Sequence, residues 1–211
     1  VTESRWLSRR EGLVARFLLE SADRKQTLSP ALLTELARQA GRAVASGAAV
    51  VVVESACEGI FASGADLSMI ERLTPPEAFS YALEGQEALR TLSSVPAAVL
   101  AEIDGPCFGG ALDLAMAGDV RIATSRASFS HPGARIGIIT GWGGTVRARG
   151  LLGVAGMRRL FRSGEVFDAN GARRIGLVDE VVEPGEWSRR RREVEELLSR
   201  HSDLFRSKPF F

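Results

Sequence analysis

Two short stretches carry apolar residues at nearly every position, GAAVVVVES (47–55) and VPAAVLAEI (95–103). Runs of that length, rich in β-branched residues, predict strands buried on both faces. EGLVARFLLES (11–21) alternates well enough to be a strand, and DRKQTLSP turns the chain after it. Ser29-Pro30 then opens a helix through about Ala45, with serine at the cap and proline at the first helical position. Pro75-Pro76 precedes a helix that runs to about Leu92, and a further helix is predicted over 110–117. DVRIAT (119–124) reads as a short strand, and ASFSHPGARIGIITGWGGT (127–145) as loop for most of its length. Helices follow over roughly 143–163 and 168–174, then a strand in GLVDEVVE (176–183) and an amphipathic helix in WSRRRREVEELLSRHSDLF (187–205). Strands alternating with helices predict an α/β fold with a largely parallel sheet. No internal repeat recurs at solenoid spacing.

Length and charge narrow the function classes. A chain of 211 residues fits one domain, or one with a small appendage. Apolar residues make up 45% and charged residues 25%, the balance of a globular protein with an ample core. A net charge of +1 gives no whole-chain field toward nucleic acid or an anionic membrane. The apolar runs fall short of a membrane span, and VTESRWLSRR lacks the apolar centre of a signal peptide, so a cytoplasmic protein is expected. Cys57 and Cys107 form no disulfide framework and no metal motif, and are expected as reduced thiols packed as small hydrophobes. The run Arg189–Arg192 is followed at once by Glu193, Glu195 and Glu196 without interleaved aromatics, which predicts a solvated helix face.

The chemistry concentrates in two small-residue loops. GPCFGGALDLAMAGD (105–119) strips bulk from the backbone just ahead of Asp113. Glycine lets a main chain approach a ligand where a Cβ would clash, and unpaired N–H groups there can hold an anion or a forming oxyanion. The phosphate-binding spacings GxxxxGK[ST] and GxGxxG are both missing. On spacing alone, tight packing of helix on sheet explains the glycines at least as well. FASGAD (61–66) follows the strand at 47–55 as the first loop follows the strand at 95–103. In a parallel sheet both loops emerge at the same carboxyl edge, where ligands bind.

These stretches resemble the crotonase superfamily, the enoyl-CoA hydratase/isomerase family. The resemblance lies in FASGADL (61–67), IDGPCFGGALDLAMAGDVRIA (103–123), FSHPGARIGIITGWGGTVRARGLLG (129–153) and GARRIGLVDEVVEPGE (171–186). It implies a spiral of ββα units: a core over 1–186 and a shortened C-terminal helix and tail over 187–211. It also implies a homotrimer or dimer of trimers. The implied partner is an acyl-CoA thioester, with coenzyme A as the carrier part of the substrate and no separate cofactor or metal. The enolate would be held by the backbone N–H groups of Ala65 and Gly110, with Asp113 as the proton-transferring carboxylate. Substrate contacts would fall on Arg24, Ala62, Gly64, Asp66, Gly109, His131, Thr140 and Trp142.

Two departures bear on the reaction. Hydratases of the family place a second glutamate in a Q-P-E-like stretch, where this sequence reads His131-Pro132-Gly133. One carboxylate still shuttles a proton between carbons, which is isomerase chemistry. Decarboxylation, thioester hydrolysis, or acyl-CoA binding without turnover are the alternatives. Asp113 also suits a helix's first turn on electrostatic grounds alone, Asp66 reads equally as a loop cap, and His131 as a structural histidine or a base. Glu102, inside an otherwise apolar strand, has no sequence-level account.

Overall fold

The computed structural model describes residues 4–208. A hairpin of β1 (Arg5–Glu11) and β2 (Val14–Glu20) is followed by β3 (Thr27–Leu28) and α1 (Pro30–Ala45). Three units of strand, second strand and helix come next. The first is β4 (Val50–Ser55) and β5 (Gly64–Ala65), with the one-turn α2 (Leu67–Ile70) and the long α3 (Pro75–Ser93). The second is β6 (Ala98–Ile103), β7 (Pro106–Phe108) and α4 (Gly110–Met116), and the third β8 (Val120–Thr124), β9 (Ser128–Ser130) and α5 (Gly144–Ser163). The chain closes with β10 (Phe167–Asp168), α6 (Ala169–Arg174), β11 (Glu180–Val182) and α7 (Trp187–Arg200).

The first strand of each unit joins a six-stranded sheet ordered β1-β2-β4-β6-β8-β11, parallel except for the β1–β2 hairpin. The second strands turn away into smaller sheets, β10-β9-β7 and β3-β5. The buried runs serve both faces, as their composition predicts. Val51, Val53, Val99, Ala101 and Ile103 pack with Leu33 and Leu36 of α1, Leu89 and Leu92 of α3, and all of α4's apolar residues. Val50, Val52, Ala98, Leu100 and Ile122 face the other way, toward Val194 and Leu198 of α7. Each valine, leucine or isoleucine among them taken from water contributes roughly 1.5–3 kcal/mol. Capping is as predicted for α1, where the Ser29 side chain accepts from the Leu32 N–H.

Several predicted boundaries need correction. β1 is a polar edge strand whose burial is confined to Trp6, so no apolar alternation marks it. The segment 127–145 is less irregular than predicted, since it holds β9 and a 3-10 turn at Pro132–Arg135. The predicted helix over 187–205 breaks into α7 and a 3-10 turn at Ser202–Phe205. Both cysteines are free, Cys107 buried and Cys57 half-buried.

Glu102 has its explanation on the α7 face. Arg16 of β2 donates to Glu54 (3.1 Å), Glu102 (2.9 Å) and Glu195 of α7 (2.6 Å). Arg191 of α7 donates to Glu54 (3.0 Å) and Glu102 (3.3 Å). Arg189 and Arg190 form the solvated face expected of the arginine run, paired with Glu186, Glu193 and Glu180, but Arg191 turns inward to dock the helix. Three carboxyl groups thus meet two guanidinium groups in a buried setting. Burial pushes Glu102 up to about 8 against the pull of Arg16, with the charges of Glu54 and Glu195 adding to the rise. Protonated Glu102 balances the cluster at neutral pH.

The linkage has a definite sign. A carboxyl group raised from 4.5 in the unfolded chain to about 8 in the fold makes stability fall as pH rises across that window. Glu102→Gln keeps the acceptor oxygen and removes the titration. The variant is therefore expected to gain on the native chain steadily from pH 5 to pH 8, as urea midpoints at a series of pH values would show. Parallel curves for the two proteins would refute this account of Glu102.

Candidate active site

The loops leaving β4 and β6 are joined through their main chains. Phe61 and Ala62 both donate to Pro106 O at 3.1 Å, and Phe108 returns a bond to Ala62 O at 3.2 Å. Gly64, at φ +91°, is where the two loops touch: a Cβ there would lie 2.5 Å from Phe108 O and 2.8 Å from Gly110 N. That contact sets the β5 residue Ala65 beside the start of α4. The Gly109 N–H bonds Ser130 O of β9 at 2.9 Å, fixing the loop from below. The turn carrying Arg24 lies against the same region, since Ser63 N donates to Lys25 O and Gln26 O at 3.3 Å. Arg24 itself has a positive φ of 57°. Asp66 caps α2, accepting from the Ser68 N–H (2.9 Å) and hydroxyl (2.7 Å), and these bonds hold its carboxyl below the usual range.

One turn into α4, Asp113 is 1% exposed. The Thr140 hydroxyl donates to its Oδ2, and the Thr140 oxygen in turn accepts from the Trp142 N–H at 3.3 Å. Its Oδ1 has no hydrogen-bond partner among the described residues. Burial pushes the Asp113 carboxyl up to about 7, with the Thr140 bond and the Arg147 charge pulling the other way. Arg147 of α5 is held by Trp142 O at 2.7 Å. Facing Oδ1 at 3.9 Å is His131 Nε2, also buried and also without a partner. Burial brings His131 down to about 4. A carboxyl group that titrates near neutrality beside a neutral imidazole is an arrangement suited to moving protons.

Gly133 carries no second carboxylate, and the backbone shows why none fits. A Cβ at 133 would sit 2.5 Å from Ile138 O, inside a turn closed by the Ile136 and Ile138 N–H groups on Gly133 O, both at 3.0 Å.

Trp142 accounts for part of the small-residue run. Its indole lies over Gly110 and Gly85, and a Cβ at either glycine would collide with the ring. At 3% exposed it covers the Gly110 main chain. Tyr81 of α3 packs on it with ring centroids 5.7 Å apart, and the Tyr81 hydroxyl is buried without a partner. Burial, with a contribution from the Asp66 charge, raises this phenol to about 12. Tyr81 escaped the sequence reading. It is the chain's one tyrosine, a signal too slight on its own to place it beside these loops.

The structure thus brings Gly64, Ala65, Gly109, Gly110, Asp113, His131, Thr140 and Trp142 into one continuous region, with Ala62 beneath it and the Arg24 turn at its edge.

A family profile described as enoyl-CoA hydratase/isomerase matches residues 9–207. The crotonyl-CoA hydratase of Syntrophomonas wolfei is 35% identical over 137 residues, which is 65% of this chain and 53% of that protein. The short-chain-enoyl-CoA hydratase of Clostridium acetobutylicum is 35% identical over 68% of this chain and 55% of its own length. The chain therefore spans about half the length of these curated relatives. A crystal structure titled enoyl-CoA hydratase/carnithine racemase from Magnetospirillum magneticum superposes with a TM-score of 0.86 at 26% identity, covering 94% of this chain and 79% of that one. With a profile match over nearly all its residues and the ββα units of the crotonase fold, the chain belongs to the enoyl-CoA hydratase/isomerase family.

Proposed function

We propose that the protein processes acyl-CoA thioesters, forming an enolate whose oxygen is held by the Ala65 and Gly110 N–H groups while Asp113 moves a proton at carbon. The observation that carries this reading is Asp113 itself. It is a buried carboxyl group poised at about 7, one turn beyond a glycine whose main chain adjoins the Gly64–Ala65 loop. Preorganised N–H donors stabilise a forming oxyanion in a dry site, and each typically contributes ~10²–10³ in rate. The relatives named as hydratases support the substrate class. A cytoplasmic homotrimer or dimer of trimers, with coenzyme A as the substrate's carrier and no other cofactor, belongs to the same proposal.

A single carboxyl group favours a 1,3-proton shift over hydration, because hydration engages an acid and a base around one water. The test is a panel of enoyl-CoA thioesters assayed for double-bond migration and for hydration. Migration of a 3-enoyl thioester is the expected activity, with crotonyl-CoA hydration ~10²–10⁴-fold below a two-glutamate enzyme. Robust hydration with no migration would overturn the assignment. Trp142 covers Gly110, so thioester binding is expected to displace the indole and change its emission.

A second reading has one observation behind it. Asp113 is half-protonated near neutrality, which suits delivery of a proton to the enolate left when a 2-carboxyacyl thioester loses carbon dioxide. Including such a thioester in the panel separates the two.

A further inference from the structure

We propose that His131 is the proton-holding partner of Asp113, taking over the second proton-handling role that Gly133 does not fill. This deepens the acyl-thioester reading and rests on it for its chemistry, but the pairing itself is a property of the free protein.

The geometry carries the argument. Among the described residues, five side chains keep a buried polar atom without a partner, and two of these atoms face each other: Asp113 Oδ1 and His131 Nε2, 3.9 Å apart. Unpartnered buried polar groups are uncommon in native proteins and call for an explanation. At 3.9 Å the two atoms lie within ion-pair range, and proton transfer requires them to close by about 1 Å. The imidazole is otherwise fixed, with its ring on Phe161 of α5 at a centroid distance of 4.8 Å. The other oxygen of Asp113 is occupied by Thr140. The remaining ionisable groups around the pair are Cys107 of β7 and Arg147 of α5. The Cys107 thiol is pushed up by burial and by Asp113, and the Arg147 guanidinium is pulled down by burial. Neither competes for the proton: Arg147 is directed at Trp142 O, and the thiol stays protonated at neutral pH.

The reason a partner is needed is access. With Asp113 1% and His131 5% exposed, a protonated Asp113 is shielded from bulk water and needs an acceptor inside the site before it can act as a base. In the relay, the Asp113 O–H bond breaks and an Nε2–H bond forms, giving carboxylate and imidazolium; the separate groups favour the reverse, at about 7 against about 4, and the attraction of the new ion pair offsets that difference. The carboxylate then removes a proton from the α-carbon of a 3-enoyl thioester, and the C–H electron pair moves through the acyl group to make the enolate. The enolate's electrons return to take the proton from Asp113 at the γ-carbon, leaving the double bond shifted. The imidazolium finally hands its proton back to Asp113, so no proton is gained or lost.

The first measurement needs no substrate. In the free protein, the ¹⁵N shift of His131 Nε2 is expected to step as pH passes through Asp113's ionisation near 7, and Asp113→Asn is expected to abolish the step. A featureless wild-type titration through that range would overturn the pairing. The second measurement is deuterium wash-in at the α-carbon of an acyl-CoA. His131→Gln is expected to lower it ~10²-fold, and added imidazole is expected to restore part of the loss in His131→Ala. A His131→Gln protein exchanging at the wild-type rate would overturn the relay. If the wild type binds and exchanges no thioester while the ¹⁵N step is present, the substrate reading and with it the relay fall, and the pairing stands.

Discussion

Asp113→Asn should lower turnover of the thioester identified in the panel by ~10²–10⁴-fold, the usual worth of one positioned proton-transfer group. Thioester affinity should stay unchanged, because asparagine is near-isosteric and can still accept from the Thr140 hydroxyl that holds Oδ2. The same substitution carries a stability signature that activity cannot mimic. Asp113 titrates at about 7 in the fold against 3.8 in an open chain. The folded protein therefore binds the extra proton between those values, and stability falls as pH rises across that window. Asparagine has no such proton, so the variant should lose less stability than the native chain between pH 4 and pH 7. A variant with full activity would move the chemistry elsewhere. A variant with parallel pH–stability behaviour would mean that Asp113 titrates as an ordinary carboxylate.

Much of this site was legible because small residues and a carboxylate are chemically loud. Gly64, Gly110 and Asp113 stand in stretches whose composition demands an explanation, and the missing carboxylate at 133 is readable as a plain glycine. What the glycines make room for was not legible. Gly110 and Gly85 are small in part because one indole lies over both, and a pairing across α3, α4 and the 141–143 loop exists only after folding. The facing of His131 and Asp113 is of the same kind: the seventeen residues of intervening chain carry no record that their unpartnered atoms meet.

The fold divides along a similar line. Buried runs such as VVVVES betray the main sheet because both of their faces must be apolar. β1 carries one buried side chain, Trp6, whose indole N–H reaches Leu32 O at 2.9 Å, so nothing periodic announced it. The second strands of the ββα units are two or three residues long, too short for any pattern to register. They also explain why the repeat was invisible along the chain. The units share a path but are spaced by helices of 19, 7 and 20 residues.

Arg16→Met is expected to be the most damaging single change outside the candidate site. Among the described residues, Arg16 alone bonds all three carboxyl groups of the cluster, and it is 7% exposed. Methionine fills similar volume but leaves Glu54, Glu102 and Glu195 around Arg191. Removing one partner of a buried ion pair typically costs about 3–5 kcal/mol, because the remaining charge is left uncompensated. Without the Arg16 charge that holds it down, Glu102 takes up its proton more tightly still, so its folded-state pKa moves further above that of the open chain. Stability lost in this way is lost as pH rises and recovered as it falls. The deficit measured by urea unfolding should thus be largest at pH 8 and shrink toward pH 5. Adding Glu102→Gln should return part of the loss at pH 8, since it removes the carboxyl group most deeply buried. Hydrogen exchange would locate the damage: α7 is held to the sheet by Glu195 and Arg191, so its amides should lose protection before those of β4 and β6. A pH-independent deficit, or uniform loss of protection, would mean that Arg16 contributes packing through its methylene stem rather than charge.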